Sequence, residues 1–419
     1  MLKALVISVN FPKENNERKN RELKALLKGL TIEMTRFFVQ ELKEENKKTY
    51  IGQGKAIEIA EELKKNDYDL VVTNFDLSPT QYQNLKDLWK REIFDRTTVI
   101  LQTFSQMAHS KEARLQVEIA SIRYFKTRLV QKDANYAQVQ SGGGLHARGS
   151  GEKQINLDRN HYQILLKRKK KELEEVVKQR KENRRNRAHL PMVAIVGYTN
   201  AGKSTLMNLF LDVTHVEKEK KVLEEDRLFA TLETSTRRIS FMNYPTFLLT
   251  DTVGFISDLP TFLVEAFRST LEEIQEADLL LHVVDVSDSN YPTQIRVTCE
   301  TLQEIGVNDI PMVMLYNKVD QLGHIPFIPK ENELLTSFRS QEDIPQIVDL
   351  IFTNLKKNWK MYVKKIPFSA NFYHYQKMGY IEKSRQEEDG YRVKVYVPSA
   401  YQKEWETLED VEDDFDKVQ

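Results

Sequence analysis

The sequence is almost without cysteine, since Cys299 is the only one among 419 residues. A single thiol excludes internal disulfides and cysteine-rich metal sites and is typical of a reducing compartment, so we expect a cytoplasmic protein. No run of about eighteen apolar residues occurs, and we therefore expect no transmembrane segment. An excess of one charge is also lacking, because 62 basic residues balance 62 acidic ones. Any surface that binds a polyanion must then be local.

What the sequence does contain is a strand, a loop and a helix in the order that a phosphate site needs. Met192–Val196 is an apolar run typical of a buried strand, and Leu206–Phe210 is typical of a helix. The loop between them fits G-x-x-x-x-G-K-[ST], in which glycines let backbone N–H groups surround a phosphate at a helix N-terminus. We predict a nucleotide triphosphate site there, formed by Gly197, Tyr198, Thr199, Asn200, Ala201, Gly202, Lys203, Ser204 and Thr205.

Two side chains of this loop have expected roles. Lys203 would reach the β- and γ-phosphates, and the Ser204 hydroxyl would bind a Mg²⁺ ion that bridges the same phosphates. Both Mg²⁺ and the nucleotide are therefore expected ligands of the chain.

A second motif indicates which base is bound. The apolar strand Ile310–Tyr316 ends in Asn317, Lys318, Val319 and Asp320. A carboxylate at Asp320 can accept hydrogen bonds from N1–H and the exocyclic amine of guanine, and adenine has no such donor pair. Binding ATP would leave a buried charge unpaired, so GTP and GDP are the expected ligands.

A third motif lies between these two. The strand Thr246–Thr250 ends in Asp251, Thr252, Val253 and Gly254. Asp251 suits a water-mediated Mg²⁺ contact, and the Gly254 N–H suits the γ-phosphate. Three motifs in this order, each at the carboxyl end of an apolar strand, predict a P-loop GTPase domain.

Two further parts of the site are predicted from position. The segment before the Asp251 strand is where a GTPase has its first switch loop, and Thr231 in that segment would give Mg²⁺ a second hydroxyl ligand. The nucleotide-binding residues expected there are Phe229, Ala230, Thr231, Leu232 and Glu233. A serine that supports the guanine ring has two candidates. Ser369 matches a Ser-Ala pair in letters, whereas Ser337 matches in spacing from Asp320, and we prefer Ser337 although Phe338 replaces the usual alanine.

The fold class that these patterns predict is α/β, with four parts. Residues 1–140 form an N-terminal α/β domain, 141–190 a glycine-rich loop with a long helical linker, 191–357 the GTPase domain and 358–419 a small C-terminal α/β domain. In the first part we expect strands at Leu2–Val9, Leu70–Asn74 and Thr97–Leu101 and a helix at Ala108–Phe125. Strands are expected at 363–368, 379–383 and 390–397, followed by a solvated acidic tail over 404–416.

The segment 141–190 allows two interpretations. Its glycine-dense part, Ser141–Glu152, would hold no regular structure and is either a flexible linker or a loop whose backbone approaches RNA. A polar helix is expected over Lys153–Arg187, with a thin apolar stripe that packs on one neighbour as part of a helical hairpin. Its basic clusters Lys167–Lys171 and Arg180–Arg187 are typical of a solvated face or of a phosphate contact, and we favour the contact.

The motifs together resemble the HflX family of GTPases. Gly197–Thr205, Phe229–Glu233 and Asp251–Phe255 carry the resemblance, with further matches at Tyr50–Lys55, Leu77–Gln81, Gly142–Gly144 and Arg148–Glu152. The resemblance implies a ribosome-associated GTPase that binds the large ribosomal subunit, contacts rRNA through the glycine-rich loop and basic helix, and splits or rescues stalled ribosomes. Residues 153–156 and Glu233–Thr234 depart from the family pattern. We expect a monomer.

Catalysis must use groups other than a glutamine after the Asp-x-x-Gly motif, because Phe255 stands there. Asn200 matches the position at which K⁺-dependent relatives coordinate that ion, so K⁺ is a second expected cofactor, although Asn200 could instead only shape the loop. The expected catalytic residues are Lys203, Asn200, Thr231 and Gly254. An alternative function is a GTP-gated ribosome-binding module with negligible turnover.

Overall fold

The structure, a computed structural model, describes residues 1–12, 16–130, 148–185, 190–214, 235–241, 243–252, 254–255, 263, 274–323 and 327–415. Within these ranges no helix is both long and apolar enough to cross a bilayer. The chain forms two compact units, the first built mainly from residues 1–179 and the second mainly from residues 180–419.

The first unit is organised on a parallel sheet. Its described strands are β1 (Leu2–Asn10), β2 (Ile32–Glu41), β3 (Leu70–Thr73) and β4 (Glu92–Phe94), in the order β2-β1-β3-β4. Residues 4–8 of β1 are buried on both faces, because helices cover both sides of a parallel sheet and apolar side chains must then point both ways. The expected strands at Leu2–Val9 and Leu70–Asn74 are confirmed, and β2, the half-exposed edge strand, was missed.

Helices of the first unit begin at sequence signals. The described ones are α1 (Asn16–Gly29), α2 (Gln53–Lys65), α3 (Pro79–Trp89), α4 (Arg96–Met107), α5 (Lys111–Val130) and α6 (Arg148–Arg185). Before α3, the Ser78 hydroxyl accepts from the Gln81 N–H while the Gln81 side chain accepts from the Ser78 N–H. This reciprocal capping, with Pro79 in the first turn, fixes where the helix starts.

The expected strand at Thr97–Leu101 is wrong, because these residues belong to α4. Asp95 caps that helix by accepting from the Thr98 N–H at 3.0 Å, and its other oxygen accepts from Tyr124 and Arg128 of α5. Val99, Ile100 and Leu101 are all buried. A short apolar run that is buried all round does not distinguish a strand from a helix, and the aspartate before it decides the outcome.

Helix α6 is longer than the sequence indicated. It begins at Arg148, so the last part of the glycine-dense segment is helical, contrary to expectation; residues 141–147 lie outside the described part. The predicted stripe is seen at Leu165, Leu166 and Val176, which are half-buried. Lys169 Nζ lies 2.7 Å from a Glu118 carboxylate oxygen, so α6 contacts α5.

The second unit holds the sheet that carries the predicted motifs. Its described strands, in the order β10-β9-β8-β5-β7-β6, are β5 (Met192–Gly197), β6 (Ser235–Ile239), β7 (Phe247–Asp251), β8 (Leu279–Asp285), β9 (Met312–Asn317) and β10 (Glu333–Leu335). Every neighbouring pair is parallel except β6 with β7. The carboxyl ends of β5, β7, β8 and β9 therefore meet at one edge, where an open α/β sheet binds ligands.

Helices on this sheet bury its apolar faces. The described ones are α7 (Lys203–Val213), α8 (Tyr291–Glu304) and α9 (Ile344–Leu355). Phe210 of α7, Phe247 of β7 and Phe352 of α9 are each fully buried in one core cluster. Edge-to-face contacts join Phe247 to the other two rings, at centroid distances of 6.2 and 5.8 Å.

The C-terminal part of this unit is an antiparallel sheet in the order β12-β13-β11-β14 over the described residues. It comprises β11 (Lys360–Pro367), α10 (Phe372–Gln376), β12 (Tyr380–Gln386), β13 (Gly390–Val397), α11 (Gln402–Glu406) and β14 (Glu409–Asp410). Trp405 of α11 is fully buried against Val393 and Val395 of β13. The three strands expected here are confirmed.

Most described residues of the acidic tail are exposed, as expected, and the tail is also structured. Gln402–Glu406 is helical, and Glu409–Asp410 pairs with Lys364 and Lys365 of β11. Asp413 and Asp414 form ion pairs with cations of β13. The composition of the tail did not indicate these contacts, because the cations that oppose the tail lie on strands elsewhere in the sequence.

Burial of His282 makes the second unit sensitive to acid. Its side chain is 1% exposed in β8, and burial, with the nearby Lys203 charge, lowers its pKa from 6.5 to about 3. Since the folded pKa lies below the unfolded one, the unfolded state takes up the proton first, and stability falls as pH drops from 6.5 towards 3.

When the pH falls from 7 to 5, the wild type should lose about 2 kcal/mol more of its free energy of unfolding than His282→Leu does. Urea unfolding at both pH values would measure it, with fluorescence from Trp359 and Trp405 reporting on this unit. Other groups titrate alike in both proteins, so an equal loss in the two would show that His282 does not contribute.

Candidate nucleotide site

The phosphate loop joins β5 to α7 and requires glycine at both ends. Gly197 has φ 142°, and a Cβ there would lie 2.3 Å from the Val283 carbonyl oxygen. Gly202 has φ 106° at the start of α7, and a Cβ there would lie 2.3 Å from the Asn317 amide nitrogen. The loop therefore lies against β8 and β9 more closely than any side chain permits.

Lys203 is buried inside this loop, with 6% of the residue exposed. Its Nζ donates to the Tyr198 carbonyl oxygen at 2.7 Å. Burial lowers the pKa of Lys203 to about 8, and the Asp251 charge opposes that shift. A multiply charged anion bound in the loop would favour the ammonium form, because it supplies the negative charge that burial removes.

The two residues predicted to bind Mg²⁺ lie side by side. Ser204, at the start of α7, donates its hydroxyl to Asp251 Oδ2 at 2.9 Å, and Asp251 is fully buried at the end of β7. A hydroxyl and one carboxylate fit Mg²⁺, which takes few protein ligands and keeps waters and phosphates.

The segment after β7 is fixed to the phosphate loop by two backbone hydrogen bonds. The Thr199 N–H donates to the Phe255 carbonyl at 2.8 Å, and the Phe255 N–H donates to the Gly197 carbonyl at 3.2 Å. A Cβ at Gly254 would lie 2.7 Å from Thr199 Cγ2 and 2.9 Å from the Thr199 Cα, so the backbone of the phosphate loop leaves room for glycine only. The Phe255 side chain is 2% exposed and offers no hydrogen-bonding group.

The guanine motif reaches the phosphate loop through two side chains. Asn317 Nδ2 donates to the Ala201 carbonyl at 2.8 Å. Lys318 Nζ donates to the Asn200 carbonyl at 2.9 Å and to Asp285 Oδ2 at 2.6 Å. Asn317 and Lys318 thus satisfy carbonyl groups of the loop and hold it in place.

Asp320 follows β9 in a short 3₁₀ helix, Val319–Gln321. Its side chain is 20% exposed, and Oδ2 lies 2.6 Å from Arg339 Nη2, which belongs to a side chain that is 70% exposed. The carboxylate therefore remains accessible to a ligand while one of its oxygens is paired with a flexible surface cation.

Of the two serine candidates, Ser337 follows a strand of the GTPase-domain sheet and Ser369 does not. Ser337 follows β10, and Asp343 accepts from its N–H at 3.1 Å. Phe338 is buried at φ 51° and comes within 3.4 Å of the Cβ position at Gly202. Ser369 follows β11 in the C-terminal sheet.

Other predicted residues are placed as follows. Thr252 is buried and its hydroxyl donates to the Ile195 carbonyl at 2.6 Å, and Thr205 lies in the first turn of α7. Phe229, Ala230, Thr231, Leu232, Glu233 and Val253 lie outside the described residues.

Sequence reasoning missed three residues of the site. Asp285 pairs with Lys318 at the end of β8, and its signal was present, because it ends an apolar strand as Asp251 does. Asp343 accepts from the Ser337 and Phe338 N–H groups. Arg339 has no signal in the sequence, since an exposed arginine is common on any surface.

Comparison with known families agrees with this geometry. Residues 192–318 match the family described as 50S ribosome-binding GTPase. Residues 17–105 match the GTP-binding GTPase N-terminal family, and residues 107–187 match the GTP-binding GTPase Middle Region family.

Curated relatives extend over most of the chain. GTPase HflX of Lacrimispora saccharolytica is 38% identical and covers 84% of this chain and 82% of its own. GTPase HflX of Escherichia coli is 35% identical over 92% of this chain and 91% of its own. Among solved structures, a GTP-binding protein of Sulfolobus solfataricus in complex with GDP is 23% identical, with a TM-score of 0.43, over 85% of this chain and 99% of that chain. The identities of 38% and 35% to the two curated relatives, over most of the chain, show that the chain belongs to the HflX family of GTPases, enzymes that bind and hydrolyse GTP.

Proposed function

We propose that this GTPase binds the large ribosomal subunit and uses its GTP cycle to split or rescue stalled ribosomes. The observation that carries the proposal is the basic cluster of α6, where Lys167, Arg168, Lys170 and Lys171 are exposed on an otherwise neutral chain. The family matched by residues 192–318 is described as ribosome-binding, which supports the same partner. Cations clustered on one exposed helix suit the phosphates of rRNA.

Nucleotide recognition is assigned to the residues that meet at the sheet edge. Lys203 and the phosphate-loop N–H groups would bind the β- and γ-phosphates, and the Gly254 N–H the γ-phosphate. Asp320 would bind the guanine edge with Ser337 beside the ring. Asn317 and Lys318 hold the loop carbonyls, so the loop N–H groups are oriented before the ligand arrives.

Ser204 and Asp251 would hold Mg²⁺, with Thr231 as a further ligand. The ion, when bound, neutralises charge that develops on the phosphates. The hydrogen bond between Ser204 and Asp251 keeps both oxygens at one place, and this lowers the cost of arranging them around a cation.

Hydrolysis needs a group other than Phe255 to stabilise the transition state. We assign Asn200 to a K⁺ ion beside the β- and γ-phosphates, where a monovalent cation would act as an arginine finger does. Asn200 is exposed and has φ 62°, a conformation that asparagine tolerates better than most residues. The same residue therefore also shapes the loop, and a test must separate the two roles.

The first expected outcome concerns the base. Asp320→Asn replaces one of the two acceptor oxygens by an amide and so removes a charge-assisted hydrogen bond worth about 1.5 to 3 kcal/mol, and GDP should bind about tenfold to a hundredfold more weakly by calorimetry. Arg339→Ala is the matched control, because it removes an exposed partner of the same carboxylate and should not weaken GDP binding. Equal affinity of Asp320→Asn and wild type would remove Asp320 from the site.

The second outcome concerns catalysis. Arginine fingers contribute about 10³ to 10⁵ in rate, so a chain with Phe255 should hydrolyse GTP slowly alone and faster with K⁺ or with large ribosomal subunits. Steady-state phosphate release in K⁺ and in Na⁺, with and without subunits, would measure this.

Asn200→Gly is the sharper variant for that experiment. Glycine adopts φ 62° without cost, so the loop keeps its shape while the side-chain oxygen is lost. We expect the K⁺ stimulation to disappear and GDP binding to remain. Turnover by the wild type that is rapid and indifferent to cation and ribosomes would overturn the mechanism, and subunit binding without stimulated turnover would favour a GTP-gated binding module.

The third outcome concerns the ribosome. Reversing Lys167, Lys170 and Lys171 to Glu should weaken binding to the large subunit and reduce the dependence of binding on salt, because fewer phosphate counterions are released. The matched control reverses Arg21, Lys24 and Lys28, three exposed cations of α1. If both triple variants sediment with subunits equally well at physiological salt, the cluster is a solvated face.

A further inference from the structure

The register of the C-terminal sheet gathers cations on one face. Lys365 of β11 is opposite Arg392 of β13, which is opposite Arg385 of β12. One row further along, Lys394 is opposite Lys383. Since residues opposite each other in adjacent strands share a face, two neighbouring rows carry Lys365, Lys383, Arg385, Arg392 and Lys394 on the same side.

The other side of the sheet is the core of this part of the chain. Tyr362, Ile366, Val393 and Val395 point to it and are buried with Trp405. The cationic side is therefore not needed to bury apolar surface. We call it the basic face.

A row of aromatic residues limits the basic face at one end. Tyr380 and Tyr396 are opposite each other, and Tyr380 stacks on Phe352 of α9 at 5.6 Å between ring centroids. The Lys356 ammonium lies 5.2 Å from the Tyr396 ring centroid. This end of the sheet packs on the GTPase domain, and the two cationic rows begin where that contact stops.

The end of the acidic tail, residues 412–415, lies across the basic face, and we call these residues the tail. Asp414 contacts Arg392 at 2.9 Å and Arg385 at 3.6 Å, and Asp413 contacts Lys394 at 3.1 Å. Arg392 also donates to the Glu412 carbonyl at 3.2 Å. Three consecutive tail residues thus contact the cations of both rows.

The β12–β13 hairpin adds two carboxylates at the edge of the face. Glu387 lies 2.6 Å from Arg392, and Asp389 lies 2.6 Å from Lys365. Glu409 of β14 is opposite Lys365 and adds a further carboxylate at the edge. The hairpin and β14 thus supply carboxylates at the edge of the face, and residues 412–415 supply those that lie across it.

The tail is held weakly enough to be displaced. Arg385 and Asp413 are 50% and 34% exposed, whereas Lys394 and Arg392 are 15% and 20% exposed, so water partly screens the ion pairs of the tail and weakens them. A polyanion with many charges gains from counterion release as well as from contacts, and can replace a tail that offers two or three carboxylates.

We propose that the basic face is an RNA-binding surface that the acidic tail, residues 412–415, masks by occupying the cations that phosphates would contact. RNA fits better than an acidic protein, because between the cations the two rows offer only the half-buried Val363 as an apolar side chain, and protein interfaces need an apolar core. Aromatic residues are absent from the two rows, so bases would not stack there and binding would depend on phosphates rather than on sequence.

The test uses the full-length protein with bound GDP and a fluorescein-labelled oligouridine as the probe. Asp413→Asn with Asp414→Asn should tighten binding by about three- to thirtyfold at low salt, because the change removes the ion pairs that these carboxylates form with Lys394, Arg392 and Arg385. The matched control is Glu300→Gln with Glu304→Gln on α8, which makes the same change in net charge at two exposed positions remote in sequence from this sheet. Tightening equal to that of the control overturns the proposal.

A second pair of variants locates the binding. Adding Arg385→Ala and Lys394→Ala to the tail variant should abolish the gain, and GDP affinity measured alongside shows whether the protein remains folded. A gain that persists without these cations overturns the proposal, because RNA then binds elsewhere. If the tail variant gains as much affinity for polyglutamate as for oligouridine, RNA is overturned as the occupant. Ribosomes take no part, so failure here is distinct from failure of the ribosomal function.

Discussion

The site depends on hydrogen bonds that the phosphate loop accepts from a distant strand. Asn317 and Lys318, at the end of β9, donate to the Ala201 and Asn200 carbonyls, across more than a hundred residues of sequence. A loop whose carbonyls are satisfied from outside can direct its N–H groups inward, and those groups are what bind phosphate. The guanine motif is therefore also a structural support of the phosphate site, and the two halves of nucleotide recognition form as one unit.

Electrostatics add a second constraint to this arrangement. Lys203 is a buried cation whose pKa is lowered by burial, and the charge of the buried Asp251 opposes that shift. Charges held out of water at fixed positions cost free energy in the absence of a ligand and need little rearrangement when one binds. Gly254 allows the segment after β7 to lie against Thr199 of the phosphate loop, where a Cβ would clash with the loop backbone. A preorganised site of this kind uses part of the folding free energy to prepare binding.

Much of this arrangement could be predicted from the sequence, because the motifs occur at the ends of strongly apolar strands and parallel topology brings those ends together. Local pattern failed where long-range contacts decide the outcome. Residues 97–101 form a helix because Asp95 caps it and binds α5, and the acidic tail is ordered because cations from β12 and β13 face it. The sequence could not indicate the pairing of Arg339 with Asp320, because loop geometry, which no sequence pattern shows, brings the two side chains together.

One helix links the guanine side of the site to the C-terminal sheet. Immediately before α9, Asp343 accepts from the Ser337 and Phe338 N–H groups beside the phosphate loop. Towards its other end Phe352 stacks on Tyr380, and Lys356, just after the helix, binds Glu382 of β12 at 2.6 Å. Moving the sheet against the GTPase core would unstack the half-buried Tyr380 from the buried Phe352 and so expose apolar surface. The guanine side of the site and the C-terminal sheet are therefore parts of one packed unit.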